Sequence, residues 1–406
     1  MKEIWGQKGH VIVSQAAAYE NREALKDIKV ESKVAEHANQ LQGIFSEGVN
    51  LRLANGKYID NLEVLLKSEP GDTPVLIAHL PITDNKSYMK WVNPKTVKVE
   101  KTFEEDFESA QEYRRKIAGR MKIETPDPYI NTLGGVFAGA EDAVWEAPSY
   151  LHGAIGWRMP LTGWRAAYLG DLIGVHDRAR MHFDGYAAAQ VTDVPATLPP
   201  MQDDELHGAR SLKKWGTPMY SNGYICRNPN RTDVMHHYDM NLVYIDELLW
   251  HLNWTGDMDY ARKVFPVIKR HLAWEKRTFD PDNDCLYDAY CCIWASDALQ
   301  YNGGAVTHSS AYNYRANKMA AEIAEKLGED ATPYKKEAEG ILKAINEILW
   351  IPEKGWWAEF KDNMGNRLRH ENAAVWTVYH SIDSDIHDSF KAYQATRYVD
   401  NYIPHI

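Results

Sequence analysis

Beyond about residue 129, apolar positions recur at helical spacing, and the segments they define are joined by connections that alternate between long and short. The pattern predicts a helix over 129–147, a loop over 148–162, and two short helices over 163–173 and 176–190 parted only by Gly174. After a long loop over 191–235, helices at 237–254 and 258–279 meet at the tight Thr255-Gly256-Asp257. A second long loop, 280–307, leads to helices at 308–327 and 332–350, joined across Gly328-Glu329-Asp330-Ala331 with Pro333 near the second start. After 351–369, further helices begin near Glu371 and near Asp385.

In a succession of helical hairpins, short turns gather on one face and long loops on the other. Long loops without secondary structure are uncommon unless they carry function. The site is therefore expected on the long-loop face, at the N-termini of the helices starting near 163, 237, 308 and 371, where helix dipoles also favour oxygen-rich ligands.

The first 100 residues read differently. Asn50-Leu51-Arg52-Leu53, the turn Asn55-Gly56 and Tyr58-Ile59 form a hairpin signal, and Val75–Ala78 and Val97–Val99 read as further strands. The expected organisation is a β-rich, β-sandwich-like and incomplete domain over 1–100, a linker helix within 101–124, and a helical domain over 125–406.

Composition narrows the chemistry. The 406 residues carry a net charge of −11 with no basic stripe, which argues against nucleic acid as a partner. No apolar run approaches the roughly 18 residues of a membrane span, so no membrane insertion is expected. The first residues, from Met1 to Gly6, show no apolar leader pattern. Cys226, Cys285, Cys291 and Cys292 fit no metal-ligand spacing and read as small buried hydrophobes. No Walker loop, Gly-x-Gly-x-x-Gly or Gly-x-Ser-x-Gly appears, so no cofactor and no serine nucleophile are expected. Fourteen Trp and twenty-three Tyr suit a carbohydrate-handling surface, or a large aromatic core.

Within the 280–307 loop stands Trp294-Ala295-Ser296-Asp297. An indole offers a flat apolar face to a pyranose ring, and a carboxylic acid beside it can protonate a glycosidic oxygen. Trp294 and Tyr301 around Asp297 would disfavour its charged form and keep that proton available. Trp157, Arg158, Trp164 and Arg165 cluster at the first long loop: Arg forks bind vicinal hydroxyls or a uronate, and Trp stacks on sugars, although Trp164 also suits a core plug. Tyr238 and Asp239, His308, and the pair His370 and Glu371 stand at later helix starts and complete the substrate-binding candidates. Adjacent His236 and His237 face different sides of a helix and make a poor shared metal site. Asp280, Asp282 and Asp284 imitate a calcium loop, but Cys285 replaces the needed Gly and Cys291 stands where a bidentate Glu belongs. A plain turn, and no metal, is the expectation.

Several segments together carry a resemblance. They are Trp157-Arg158-Met159-Pro160 before Gly163-Trp164-Arg165, Trp254-Thr255-Gly256-Asp257, and Trp294 to Asp297 before Gly303-Gly304. Ser309-Ser310-Ala311-Tyr312 and Ala320-Ala321-Glu322-Ile323-Ala324 follow. Over about residues 125–406 the chain resembles the six-hairpin, or (α/α)6-barrel, glycosidases: glucoamylase-like enzymes, trehalases, bacterial α-L-rhamnosidases and inverting disaccharide phosphorylases. It looks most like uncharacterised bacterial polysaccharide-degrading members. The resemblance implies a mainly α, (α/α)6 toroid of which this chain supplies about nine of twelve helices. It also implies a general acid between the fifth and sixth helices, which is Asp297, and a general base between the eleventh and twelfth, beyond Ile406. An inverting hydrolase needs two carboxyls about 6.5–9.5 Å apart. The reading is a glycoside hydrolase acting on oligo- or polysaccharide, with a carbohydrate substrate as its partner and a periplasmic or secreted setting. Its rivals are an inverting phosphorylase and a non-catalytic glycan-binding or scaffold protein.

Overall fold

In the computed structural model, residues 3–5, 10–14, 49–53, 61–66, 103–153, 158–196, 202–203, 208–209, 220–235, 238–293, 299–301, 303–363 and 365–403 are described. The chain divides into two compact units, Met1–Gly119 and Arg120–Ile406. The first holds a four-stranded antiparallel sheet of β1 (Glu3–Trp5), β2 (His10–Ser14), β3 (Val49–Leu53) and β4 (Asn61–Leu66), in the order β1-β2-β4-β3. The expected hairpin exists as β3 against β4, with Leu53 opposite Leu62. Its return strand starts at Asn61, and Tyr58-Ile59 lies outside the described residues, as do the expected strands at 75–78 and 97–99. A helix, α1 (Phe103–Ala118), lies in the stretch expected as a linker and belongs to the first unit.

The second unit is mainly helical. The stretch expected as one helix over 129–147 is two, α2 (Pro128–Asn131) and α3 (Leu133–Val144), followed by a short strand at Trp145–Glu146. Four helix pairs follow: α4 (Ala166–Leu172) with α5 (His176–Ala187), α6 (Met240–Thr255) with α7 (Met258–Phe279), α8 (Thr307–Leu327) with α9 (Thr332–Ala344), and α10 (Val375–Asp383) with α11 (Ser389–Tyr402). Each pair packs as a hairpin, and α4, α6, α8 and α10 also pack side by side in sequence. This is the inner-row, outer-row pairing of an α/α toroid. Burial agrees: α6 is buried at nearly every position from Met240 to Leu252, whereas α7 buries one stripe (Tyr260, Val264, Ile268, Leu272, Phe279) and exposes the other.

Sequence chemistry explains why the turns fall where they do. Gly174, Gly256 and Gly328 close three of the short connections with φ of 75°, 60° and 74°, the left-handed cap that glycine adopts without a Cβ penalty. Asp257 then starts α7 by accepting from the Tyr260 amide at 2.9 Å, and Asp388 does the same for Lys391 at 2.8 Å. The long connections all enter α4, α6, α8 and α10 at their N-termini, so they share one face, as expected. Among the described residues, no helix is long and apolar enough to cross a membrane.

Gly163 fixes how the first long connection meets the inner row. Its φ is 64°, and a Cβ there would lie 2.3 Å from the Tyr244 amide nitrogen and 2.6 Å from the Met240 carbonyl oxygen, both backbone of α6. Neither atom can swing aside. Gly163→Ala should therefore lower stability by about 2 kcal/mol or more, read as a shifted urea midpoint. An unmoved midpoint would mean the loop does not pack there.

Candidate active site

The free face of the inner row encloses a cavity of about 390 Å3. Every inner helix contributes: Arg165 and Tyr168 at the start of α4, Trp250 from α6, Tyr312 and Arg315 from α8, and Tyr379, His380 and Asp383 from α10. Tyr312 and Arg315 are three residues apart and Tyr379 and Asp383 four, so each pair shares one helix face. Small residues on α8 (Ser309, Ser310, Ala311, Ala316, Ala320) are buried and let neighbouring helices approach closely enough to shape the hollow.

Arg315 anchors the floor. Its Nε and Nη2 donate to Asp246 Oδ1 and Oδ2 at 2.7 and 2.8 Å, and Nη1 donates to the Asp383 carbonyl at 2.8 Å and to its carboxylate. The Tyr168 hydroxyl also donates to Asp246. Burial pushes the Asp246 carboxyl up, and the Arg315 guanidinium and Tyr168 hydroxyl pull it back. Burial works against the Arg315 charge as well, but Asp246 and Asp383 outweigh it and raise its pKa. Two imidazoles stay neutral here, His380 in the lining and His308 near it. Burial, then His308, Arg315 and Arg165, take His380 down to about 2. Burial, opposed by Glu359, takes His308 down to about 4.

Asp297 and Trp294 lie outside the described residues, as do Trp157, His236 and His237. The neck of the loop that carries Asp297 is described. Cys291–Cys292 pairs antiparallel with Leu299–Gln300. On the near side, Asp239 Oδ2 accepts from the Ile293 amide at 2.8 Å. The Tyr238 hydroxyl accepts from the Tyr290 amide at 2.7 Å and stands 3.3 Å from Cys292 Sγ. On the far side, the Tyr301 hydroxyl donates to Glu359 Oε1 at 2.7 Å. Glu359 also accepts from the Ala374 amide and Trp376 Nε1, each at 2.9 Å, and from the Thr377 hydroxyl at 2.5 Å. One buried carboxylate thus ties the neck to the start of α10.

These contacts correct several expectations. Tyr238 and Asp239, at 3% and 1% exposure, brace the neck instead of facing a ligand. Tyr301 and His308 are buried in the same assembly. The helix expected from near Glu371 is α10, which starts at Val375, so His370 ends a short strand (Arg369–His370) and Glu371 follows it, ahead of the helix. Glu371 sits between Lys354 Nζ at 2.7 Å and Arg369 Nη2 at 3.0 Å, which hold its carboxyl below the usual range and leave it no proton to give. His370 stacks on Phe360 with ring centroids 4.0 Å apart and meets Asp362 at 2.9 Å. The Arg158 guanidinium is engaged at the end of α3, by the carbonyls of Ala143 and Trp145 and by Glu146 at 3.3 Å. Trp164 is half-buried, edge-on to His152 at 4.4 Å and packed against the apolar core, which is the core-plug alternative. Of the described residues singled out from sequence, Arg165 lines the cavity. Sequence reading missed Tyr168, Trp250, Tyr312, Arg315, Tyr379, His380 and Asp383. The available signal was an arginine, Arg315, in the middle of a helix and flanked by Tyr314 and Ala316.

No family model and no curated protein sequence matches the chain. Solved structures do match. A rhamnosidase from Klebsiella oxytoca is 15% identical over 61% of this chain and 42% of its own, with a TM-score of 0.42. An α-L-rhamnosidase from Streptomyces avermitilis is 12% identical over 84% of this chain and 26% of its own, at 0.47. A mannosylglycerate hydrolase from Thermus thermophilus is 13% identical over 66% of this chain and 75% of its own, also at 0.47. The chain spans less than half the length of either rhamnosidase. Likeness at this level carries no argument on its own, and the helix pairing stands on this chain's own contacts.

Proposed function

We propose that the helical unit takes a carbohydrate into the hollow of the inner row and cleaves a glycosidic bond by acid–base chemistry. In this reading Asp297 protonates the leaving oxygen, and a second carboxylate activates water on the opposite face of the sugar, with inversion. The observation that carries the reading is the lining of the 390 Å3 cavity. Four aromatic rings (Tyr168, Trp250, Tyr312 and Tyr379) stand beside the charged Arg165, Arg315 and Asp383. Apolar ring faces suit the C–H faces of a pyranose, and fixed charged donors and acceptors suit its hydroxyls. The braced strands that flank residues 294–298 support it too, because a proton donor needs a rigid mount.

The test is turnover of aryl glycosides by wild type and Asp297→Asn. Loss of the acid should slow substrates with poor leaving groups by about 10²-fold, and nitrophenyl substrates, which need less protonation, distinctly less. Equal rates across the panel would remove Asp297 from the mechanism. Strict dependence of wild-type turnover on phosphate would assign a phosphorylase, and oligosaccharide binding without turnover a glycan-binding protein.

A further inference from the structure

Helix α7 delivers its last carbonyls at Phe279, where the helix dipole is negative, and the chain then presents Asp280, Asp282 and Asp284 in succession. One carboxylate oxygen from each lies within 4.8 Å of the others. Two of the three have backbone duties: Asp280 Oδ2 accepts from the Cys285 amide at 3.2 Å, and Asp284 Oδ1 from the Leu286 amide at 2.8 Å. The other oxygen of Asp280 is the anomaly. The residue is 1% exposed, and its Oδ1 is buried with no hydrogen-bond partner among the described residues. A buried carboxylate oxygen without a partner costs several kcal/mol unless something unseen meets it.

A second trio shares Asp280, namely Asp280, Cys285 and Glu337. That one already has a cation of its own. The Lys276 ammonium sits on Asp280 Oδ2 and 3.0 Å from Glu337 Oε1, and the Tyr287 hydroxyl donates to Glu337 at 3.0 Å. Among the described residues, no ion pair reaches Asp282 or Asp284. The unbalanced charge lies on the aspartate side.

We propose that Asp280, Asp282 and Asp284, through one carboxylate oxygen each, hold a hard divalent cation, calcium by its chemistry, which braces the chain leading into the segment that carries Asp297. The donors are all oxygen, which disfavours zinc, and an irregular loop suits calcium's loose geometry better than magnesium's strict octahedron. The sequence objections also change. Cys285 stands where such a loop needs glycine, yet it adopts the left-handed conformation with φ of 64°. Position 291, where such a loop carries its glutamate, is a cysteine on a strand paired with Gln300. The site therefore lacks a bidentate glutamate, and binding belongs in the weak range, about 10⁻⁴–10⁻³ M.

The test is the thermal unfolding midpoint of the full chain, from chelator to about 10 mM CaCl2 at constant ionic strength, with MgCl2 and NaCl alongside. Calcium should raise the midpoint saturably by roughly 2–6 °C, and magnesium by less. Asp282→Asn, at an exposed position with no described contact, should lose most of that rise while leaving the chelator baseline in place. Terbium luminescence, sensitised by nearby aromatic rings such as Tyr287, should titrate in wild type and weaken in the variant. The proposal is overturned if calcium leaves the midpoint unmoved, if magnesium matches it, or if Asp282→Asn responds like wild type.

Discussion

Arg315→Met should lower the unfolding free energy by about 3–5 kcal/mol. Methionine keeps much of the volume, so the loss comes from charge. Asp246 is buried at 1% exposure and takes two donors from Arg315. Without the guanidinium, only the Tyr168 hydroxyl is left to meet it among the described residues, and a buried carboxylate so placed must protonate or open the helix packing to water. The contrast is the exposed pair Lys269–Glu329, whose loss should cost under about 1 kcal/mol. Urea unfolding of both variants would measure the gap. The double change Arg315→Met with Asp246→Leu should recover most of the loss, since replacing both partners of a buried pair by apolar groups is often neutral. A single Arg315 variant as stable as wild type would mean that Asp246 is not held by this contact. The same substitution frees Asp383, which Arg315 grips through both carbonyl and carboxylate, so the cavity floor should loosen with it.

Arg315 also shows why the hairpin rhythm was legible in the sequence and the cavity was not. The outer helix α7 buries one stripe and exposes the other, so its apolar spacing announces it, and the short turns are marked by glycines with nothing but a left-handed cap to provide. Of the inner helices, α6 and most of α8 are buried on nearly every side. Their cavity-facing residues therefore leave no periodic polar stripe, and Tyr312 or Trp250 reads as core. Helix starts misled for a related reason. Asp239 at the entry of α6 has the chemistry of a ligand contact, yet its Oδ2 is taken by the amide of Ile293, 54 residues away. Glu359 and Glu371 both precede α10, but only Glu371 stands at the helix start that the sequence pattern predicts. Only the fold shows that Glu359 gathers Tyr301, Ala374, Trp376 and Thr377 while Glu371 sits between Lys354 and Arg369. Pairings set by distant chain segments are not written in local pattern.

Glu275→Gln should remove a large pH dependence. Glu275 lies on α7 at 2% exposure, with Asn313 Nδ2 3.3 Å from one oxygen and His271 Nε2 3.8 Å from the other. Burial is the main cause of its pKa rising to about 8, with Asp239 adding to it and the Asn313 hydrogen bond opposing it. Burial takes His271 down to about 3, so near neutral pH this pair carries no charge. The folded state therefore keeps a proton that the unfolded chain releases above its ordinary carboxyl pKa of about 4.3. The stabilisation is complete below that value, falls by about 1.4 kcal/mol per pH unit, and is gone above about 8. Over the whole window that is about 3–5 kcal/mol. Buried histidines act in the opposite sense: His182 and His271 near 3, His308 near 4 and His380 near 2 must charge on unfolding below about 6.5, so they cost stability as pH falls. Only the difference between variant and wild type isolates Glu275. Glutamine cannot ionise, so urea unfolding at pH 5, 6.5 and 8 should show Glu275→Gln gaining on wild type at each step upward. Parallel curves would show that the carboxyl already titrates at its ordinary value, which a group so buried can do only if water or a cation reaches it.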